Sequence, residues 1–188
     1  MKPIVVLPNP ILTTSAKMVT VFDKKLALLV TDMKNSLIAT RNPKGVGLAA
    51  PQIGQPWRVF VTRPKVTDSI RVFINPKIVH TSSILTDGIA ERDNKLEGCL
   101  SIPKIWGMVK RATSLTLTYQ DEAGKAHEEK FGGFLATIIQ HETDHVNGIL
   151  FTHRVLEQKD LPAGRHGKLY QAGQDETGKE ILEEITLK

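Results

Sequence analysis

After Asp23 the apolar residues Leu26, Val30, Met33 and Leu37 fall at i, i+4, i+7 and i+11. At that spacing they share one face of a helix, so the pattern predicts an amphipathic helix to about Ala39 with Asp23 as its N-cap. The next segment, RNPKGVGLAAPQIGQP, is punctuated by glycine and proline and predicts a loop with a short extended piece. Strand-like runs follow at 57–62 (WRVFVT), 71–79 (RVFINPKIV) and 114–120 (SLTLTYQ). Beyond DEAGK, the run AHEEKF supplies the return strand of a hairpin. Residues 81–96, TSSILTDGIAERDNKL, read as an exposed loop. A second helix is predicted from Phe134 to about Val146, preceded by Gly132-Gly133 and stopped by Asn147-Gly148. In the closing segment, ETGKEILEEITLK, the residues Ile181, Leu182 and Ile185 predict a short helix with one apolar side. No internal repeat is present. Few strands and a central helix make an α+β fold, with small antiparallel or mixed sheets packed around the second helix.

Composition narrows this picture. A chain of 188 residues suits one domain, residues 1–188, large enough to bury a core. Its 40% hydrophobic and 24% charged residues are an ordinary soluble globular mixture. Cys99 is the only cysteine, which excludes an intramolecular disulfide framework and points to a reducing compartment. The start, MKPIVVLPNPIL, offers too short an apolar run before Pro8 for a signal peptide, and no stretch approaches the ~18 apolar residues of a membrane span. The expected location is the cytoplasm, or an organelle if a transit peptide lies outside this sequence. The net charge of +5 and pI near 9.3 describe first a mildly basic soluble surface, and they raise the chance of contact with polyanions. Aromatic residues at 5% supply no evident stacking platform. Neither a membrane nor a sequence-specific nucleic acid is expected as a partner.

The strongest chemical signal is QHETDHVNGILF. His141 and His145 lie one turn apart on the predicted helix, with Glu142 beside the first. This is the H-E-x-x-H arrangement, in which two imidazoles hold a metal and the carboxylate serves as general base. Catalytic zinc-type centres usually take a third protein ligand. The H-E-x-x-H-x-x-G-x-x-H pattern would place it at 151, but that residue is Phe151, and His153 is off register. Glu183 and Glu184 are distant carboxylate candidates, and Cys99 is the sole source of a thiolate. GVGLAAPQ has neither a P-loop lysine nor the last glycine of G-x-G-x-x-G, so phosphate cradling is not expected.

Three segments in order, GVGLAAPQ at 45–52, EGCLS at 97–101 and QHETDH at 140–145, resemble the three signature motifs of the peptide deformylases. IVVLPNPIL and SIPKIWGMVKR are also similar to family sequence, so the likeness spans residues 3 to about 152. Val146 stands where the family usually has leucine, the 81–96 loop is longer than in compact members, and the tail beyond about 155 carries no recognisable family motif. A family core to about 155 and a C-terminal extension over 156–188 are therefore expected.

The resemblance implies that Cys99, His141 and His145 ligate one divalent metal, usually Fe²⁺, with Ni²⁺, Co²⁺ or Zn²⁺ as substitutes. It implies removal of the N-formyl group from the initiator methionine of new polypeptides, releasing formate. Metal-bound water would attack the formyl carbon, and Glu142 would act as general base and then acid. The oxyanion would be held by the metal, the Gln52 side-chain amide and the backbone N–H of Leu100. Gly47 and Gly98 would contact the extended peptide through their backbones, and Val46, Phe134, Thr137 and Ile138 would line a methionine pocket. Glu97 and Asp144 would meet Arg111 in a cluster that steadies the ligands. Formyl-methionyl nascent chains are the implied substrate, and transient contact with the ribosome near its peptide exit follows. Two other readings compete on the residues alone: a zinc endopeptidase of the H-E-x-x-H type, and a basic RNA- or ribosome-binding module with structural histidines.

Overall fold

Asp23 caps a helix as the pattern predicts, its carboxylate accepting from the N–H groups of Lys25 and Leu26 at 2.9 and 3.0 Å. The computed structural model describes residues 1–41, 43–89, 95–161 and 166–185. Its elements are α1 (Lys24–Ala39), β1 (Gly47–Ala49), β2 (Val59–Thr62), β3 (Arg71–Thr81), β4 (Leu85–Asp87), β5 (Glu97–Cys99) and β6 (Ile102–Gly107). These are followed by β7 (Lys110–Ala112), β8 (Ser114–Gln120), β9 (Ala126–Gly132), α2 (Gly133–Val146), α3 (Phe151–Glu157), β10 (Leu169–Gln174) and β11 (Glu180–Glu184).

The strands form three sheets ordered β1-β2-β3-β8-β9, β11-β10-β6-β5 and β4-β7, and every pairing between these strands is antiparallel. Alternate residues of a strand face opposite sides of the sheet. On β2 and β3, Val59, Val61, Val72 and Ile74 meet Leu26, Leu29, Val30, Met33 and Leu37 of α1. Phe60 and Phe73 point the other way and pack with Leu115, Leu117 and Phe131 against Ala136, Ile139 and Val146 of α2. The first sheet is thus covered on both faces, which is why β2 reads as an unbroken apolar run. Each such side chain, fully buried, is worth roughly 1.5–3 kcal/mol. A third cluster, Leu12, Cys99, Ile102, Leu150, Phe151 and Leu169 among others, lies beneath the β5–β6 hairpin.

Helix α2 ends in a Schellman motif: Ile149 N–H donates to the Asp144 carbonyl at 2.9 Å and Gly148 N–H to that of His145 at 3.1 Å. Gly148 has φ +73°, and a β-carbon there would stand 2.8 Å from the Thr14 carbonyl carbon, so this stop demands glycine.

Two predicted elements differ. The closing segment is strand, not helix: β11 pairs with β10, Ile181 opposite Gly173 and Leu182 opposite Ala172. Asp175 turns the chain by accepting from the N–H groups of Thr177 and Lys179 at 2.8 and 3.0 Å, and β10 finds a partner in β6. Three apolar residues within a window of five fit either period, so the neighbouring strand decides. The 81–96 loop also contains structure. β3 continues to Thr81, and β4 pairs with β7; the rest of that prediction, residues 90–94, lies outside the described residues.

Candidate active site

The two histidines project from α2 with ring centroids 5.0 Å apart, and β5 brings Cys99 to them from 46 positions before His145. Cys99 Sγ lies 3.2 Å from His145 Nε2, and one donor atom from each of Cys99, His141 and His145 lies within 4.8 Å of the others. Cys99 and His145 are buried and His141 nearly so. Burial pushes the Cys99 thiol up, but the charge of His145 and hydrogen bonds from both imidazoles outweigh it and bring the thiol down to about 5. His141 is raised well above its usual value: burial opposes this, while Cys99 and Glu97 favour the imidazolium. A thiolate beside protonated imidazole is what a metal site holds when protons stand in for the cation.

The thiolate is oriented from behind. Ser101 N–H and Gln52 Nε2 each reach Sγ at 3.4 Å, while Gln52 Oε1 accepts from Ala49 N–H at 2.9 Å, which settles which way the amide faces. His141 Nδ1 bonds Glu97 Oε2 at 3.1 Å, leaving Nε2 to face the cluster. Glu97 in turn receives Arg111 Nε at 2.6 Å and Nη2 at 3.0 Å, and Arg111 Nη1 reaches Asp144 at 3.1 Å. Burial raises the Glu97 carboxyl, yet Arg111 and His141 together hold it at about 2. Such a carboxylate–imidazole contact fixes tautomer and ring orientation.

Glu142 is different. Its side chain is buried against Gly47, where a β-carbon would come 2.8 Å from Glu142 Cδ, and Oε2 has no hydrogen-bond partner. Burial pushes its carboxyl up to about 7, against the pull of the nearby histidines. A Cys-His-His donor set with an unpartnered buried carboxylate oxygen beside it fits a late transition-metal ion.

In front of these groups lies a cavity enclosing about 560 Å³ including its mouth. Val46, Gly98, Leu100, Phe134, Thr137 and Ile138 line it, together with His141 and Glu142. Gly47 and Gln52 are not among the residues that line it, but Gln52 Nε2 contacts Cys99, which is. Phe151 is fully buried with its ring 6.1 Å from that of His141, so the position that fails as a ligand is an apolar support. Glu183 and Glu184 are exposed on β11, and Glu184 pairs with Lys168 at 2.9 Å; neither joins the cluster. Sequence reasoning missed Ile89 and Trp106 in the cavity wall and Arg154, which grips Asp144 at 2.8 and 3.3 Å. Arg154, ten residues beyond Asp144 on another helix, leaves no periodic trace; Trp106 sits within a segment whose strand was not recognised.

A thiolate and two imidazoles beside a buried carboxylate are the donor set of a mononuclear metal hydrolase. A polypeptide deformylase family model matches residues 1–160. The chain is 38% identical over 172 residues to a peptide deformylase of Mesorhizobium japonicum, covering 89% of this chain and 92% of that one. It is 40% identical over 153 residues to a peptide deformylase of Treponema pallidum, covering 81% and 87%. The crystal structure of peptide deformylase from Thermotoga maritima superposes with a TM-score of 0.73 at 35% identity, covering 82% of this chain and 97% of that one. The chain belongs to the peptide deformylase family. Among the described residues no helix is long and apolar enough to cross a membrane.

Proposed function

We propose that this protein hydrolyses the N-formyl group from the formylmethionine that begins newly made polypeptides, releasing formate. The observation that carries the assignment to named residues is the Cys99–His141–His145 cluster with the unpartnered Glu142 oxygen beside it. Cys99, His141 and His145 hold one divalent ion, Fe²⁺ in this reading, with Ni²⁺, Co²⁺ or Zn²⁺ able to replace it, since thiolate plus imidazoles suits late transition metals. When bound, the ion supplies Lewis acidity and lowers the pKa of water.

Amide hydrolysis also needs a base, an oxyanion site and an acid for the leaving amine. Glu142 takes the proton of the attacking water and returns it to the departing nitrogen; a carboxyl with its affinity for protons near pH 7 does both. The N–H of Leu100 and the Gln52 amide donate to the oxyanion. Gln52 can do so cheaply because its Nε2 contacts to Cys99 and Ser101 are long, 3.4 and 3.2 Å. The methionine side chain enters between Val46, Phe134 and Ile138, while Gly98 leaves the β5 backbone open to the peptide. Glu97, Arg111 and Asp144, braced by Arg154, hold His141 in its orientation.

We place the enzyme in the cytoplasm and in transient contact with ribosomes, to which its positive charge is suited. Residues 1–188 act as one catalytic domain because the β10–β11 hairpin extends the sheet that carries Cys99. A formyl-Met-Ala-Ser peptide should yield formate and a free amine in equal amounts; cleavage at an internal bond without formate would overturn the reading in favour of an endopeptidase. Cys99→Ser should lower bound metal in the anaerobically purified protein, and unchanged metal content would remove Cys99 from the ligand set. Sedimentation with ribosomes that disappears at high salt tests the last assignment.

A further inference from the structure

Trp106 lies directly across the β5–β6 ladder from Gly98, and its six-membered ring rests on that glycine. A β-carbon at 98 would stand 2.7 and 2.8 Å from Cζ3 and Cε3. Aromatic cover over a strand glycine is a packing device in its own right. Here the ring does something more, because it forms a wall shared by two cavities. One is the cavity with His141 and Glu142; the other is a groove of about 360 Å³ bounded by Pro43, Leu100, Ile102, Pro103, Lys104 and Ile105. The groove exists because the hairpin is bulged. Gly98 faces Trp106 and Cys99 faces Ile102, so Pro103, Lys104 and Ile105 have no partner on β5. Bulges beside active sites commonly re-aim side chains in this way.

The groove and the cavity share Gly98, Cys99 and Leu100. An extended chain advances about 3.3 Å per residue, so the groove is within reach of the two residues that follow the methionine. Apart from the Cys99 thiolate that it shares with the cavity, its lining is apolar except for Lys104. Lys104 is exposed on the rim with φ +66°, so the bulge carries its charge outward and leaves the floor to prolines, isoleucines and the indole.

Resting on the function proposed above, we infer that Trp106 is a specificity-determining residue, selecting nascent chains with an apolar side chain in one of the two positions after the formylmethionine. Partial burial of one such side chain against an aromatic wall corresponds to about a fivefold gain in kcat/KM. The test uses two peptide series, formyl-Met-X-Ala and formyl-Met-Ala-X, with X as Gly, Leu, Phe or Asp, read by formate release from the metal-loaded full chain. In at least one series Leu and Phe should exceed both Gly and Asp about fivefold, chiefly through KM. W106F should keep that ratio, and W106A should bring it to within about twofold of unity; W106L reads the same loss if W106A does not fold. Rates blind to X, a preference for Asp through Lys104, or a preference that survives loss of the ring would overturn the inference while leaving deformylation intact. Formate from no peptide at all would overturn the function, and this selectivity with it.

Discussion

Glu97 and Glu142 are both buried beside the same histidine, yet their chemistry is opposite. Glu97, 2% exposed, has Arg111 and His141 against both oxygens and is held at about 2. Glu142, 4% exposed, has one oxygen with no partner and is pushed up to about 7. Equal burial therefore does not set a carboxyl's role; the placement of one guanidinium does. The permanently charged glutamate can orient an imidazole, and the glutamate that exchanges protons near neutrality can serve as base and acid.

The comparison breaks most severely at the proton carrier. Glu142→Gln keeps the shape and removes the base, so formate release should fall about 10²- to 10⁴-fold while bound metal is retained; turnover within tenfold of wild type would take the role from Glu142. Next comes the structural partner. Arg111→Ala leaves Glu97 and Asp144 buried without their shared cation, at a cost of about 3–5 kcal/mol in chemical denaturation, and a loss below about 1 kcal/mol would mean the network is solvated.

The metal-free protein sharpens the contrast further. A carboxyl whose folded value is raised from 4.5 to about 7 favours the folded state when protonated, so its contribution is full below 4.5 and is lost as pH rises through 7. Glu142→Gln should therefore make the metal-free protein more stable than wild type at pH 8, by up to about 3 kcal/mol, and indistinguishable at pH 4. Equal stability at both pH values would show that Glu142 is not desolvated. The smallest effect belongs to a surface pair of the same composition, Arg71 and Glu129, 2.6 Å apart with side chains 37% and 42% exposed. Arg71→Ala should cost under about 1 kcal/mol, and less in high salt; a loss approaching that of Arg111→Ala would collapse the distinction between buried and exposed pairs.

Much of this was legible before the fold. The stripe Leu26, Val30, Met33, Leu37 is the buried face of α1, and Asn147-Gly148 is where α2 stops. His141 and His145 share a helix face by arithmetic alone, Glu142 follows the first of them, and the motif order joined Cys99 to them. Illegible were the strand β11, whose apolar residues fit two periods, and Arg154, which reaches Asp144 from another helix. The Trp106 groove was equally hidden, since it depends on a register shift between two strands that no local pattern announces.

The amino-acid sequence by itself determined what depends on near neighbours along the chain: helix faces, capping, the one-turn spacing of two imidazoles, and the presence of a single thiol. Only the tertiary structure decided what depends on distance through space: that Cys99 lies 3.2 Å from His145, that Glu97 has an arginine and Glu142 has none, and that β11 is a strand. Periodicity is a property of the backbone's own geometry, whereas burial and charge pairing are set by which distant segments the core brings together.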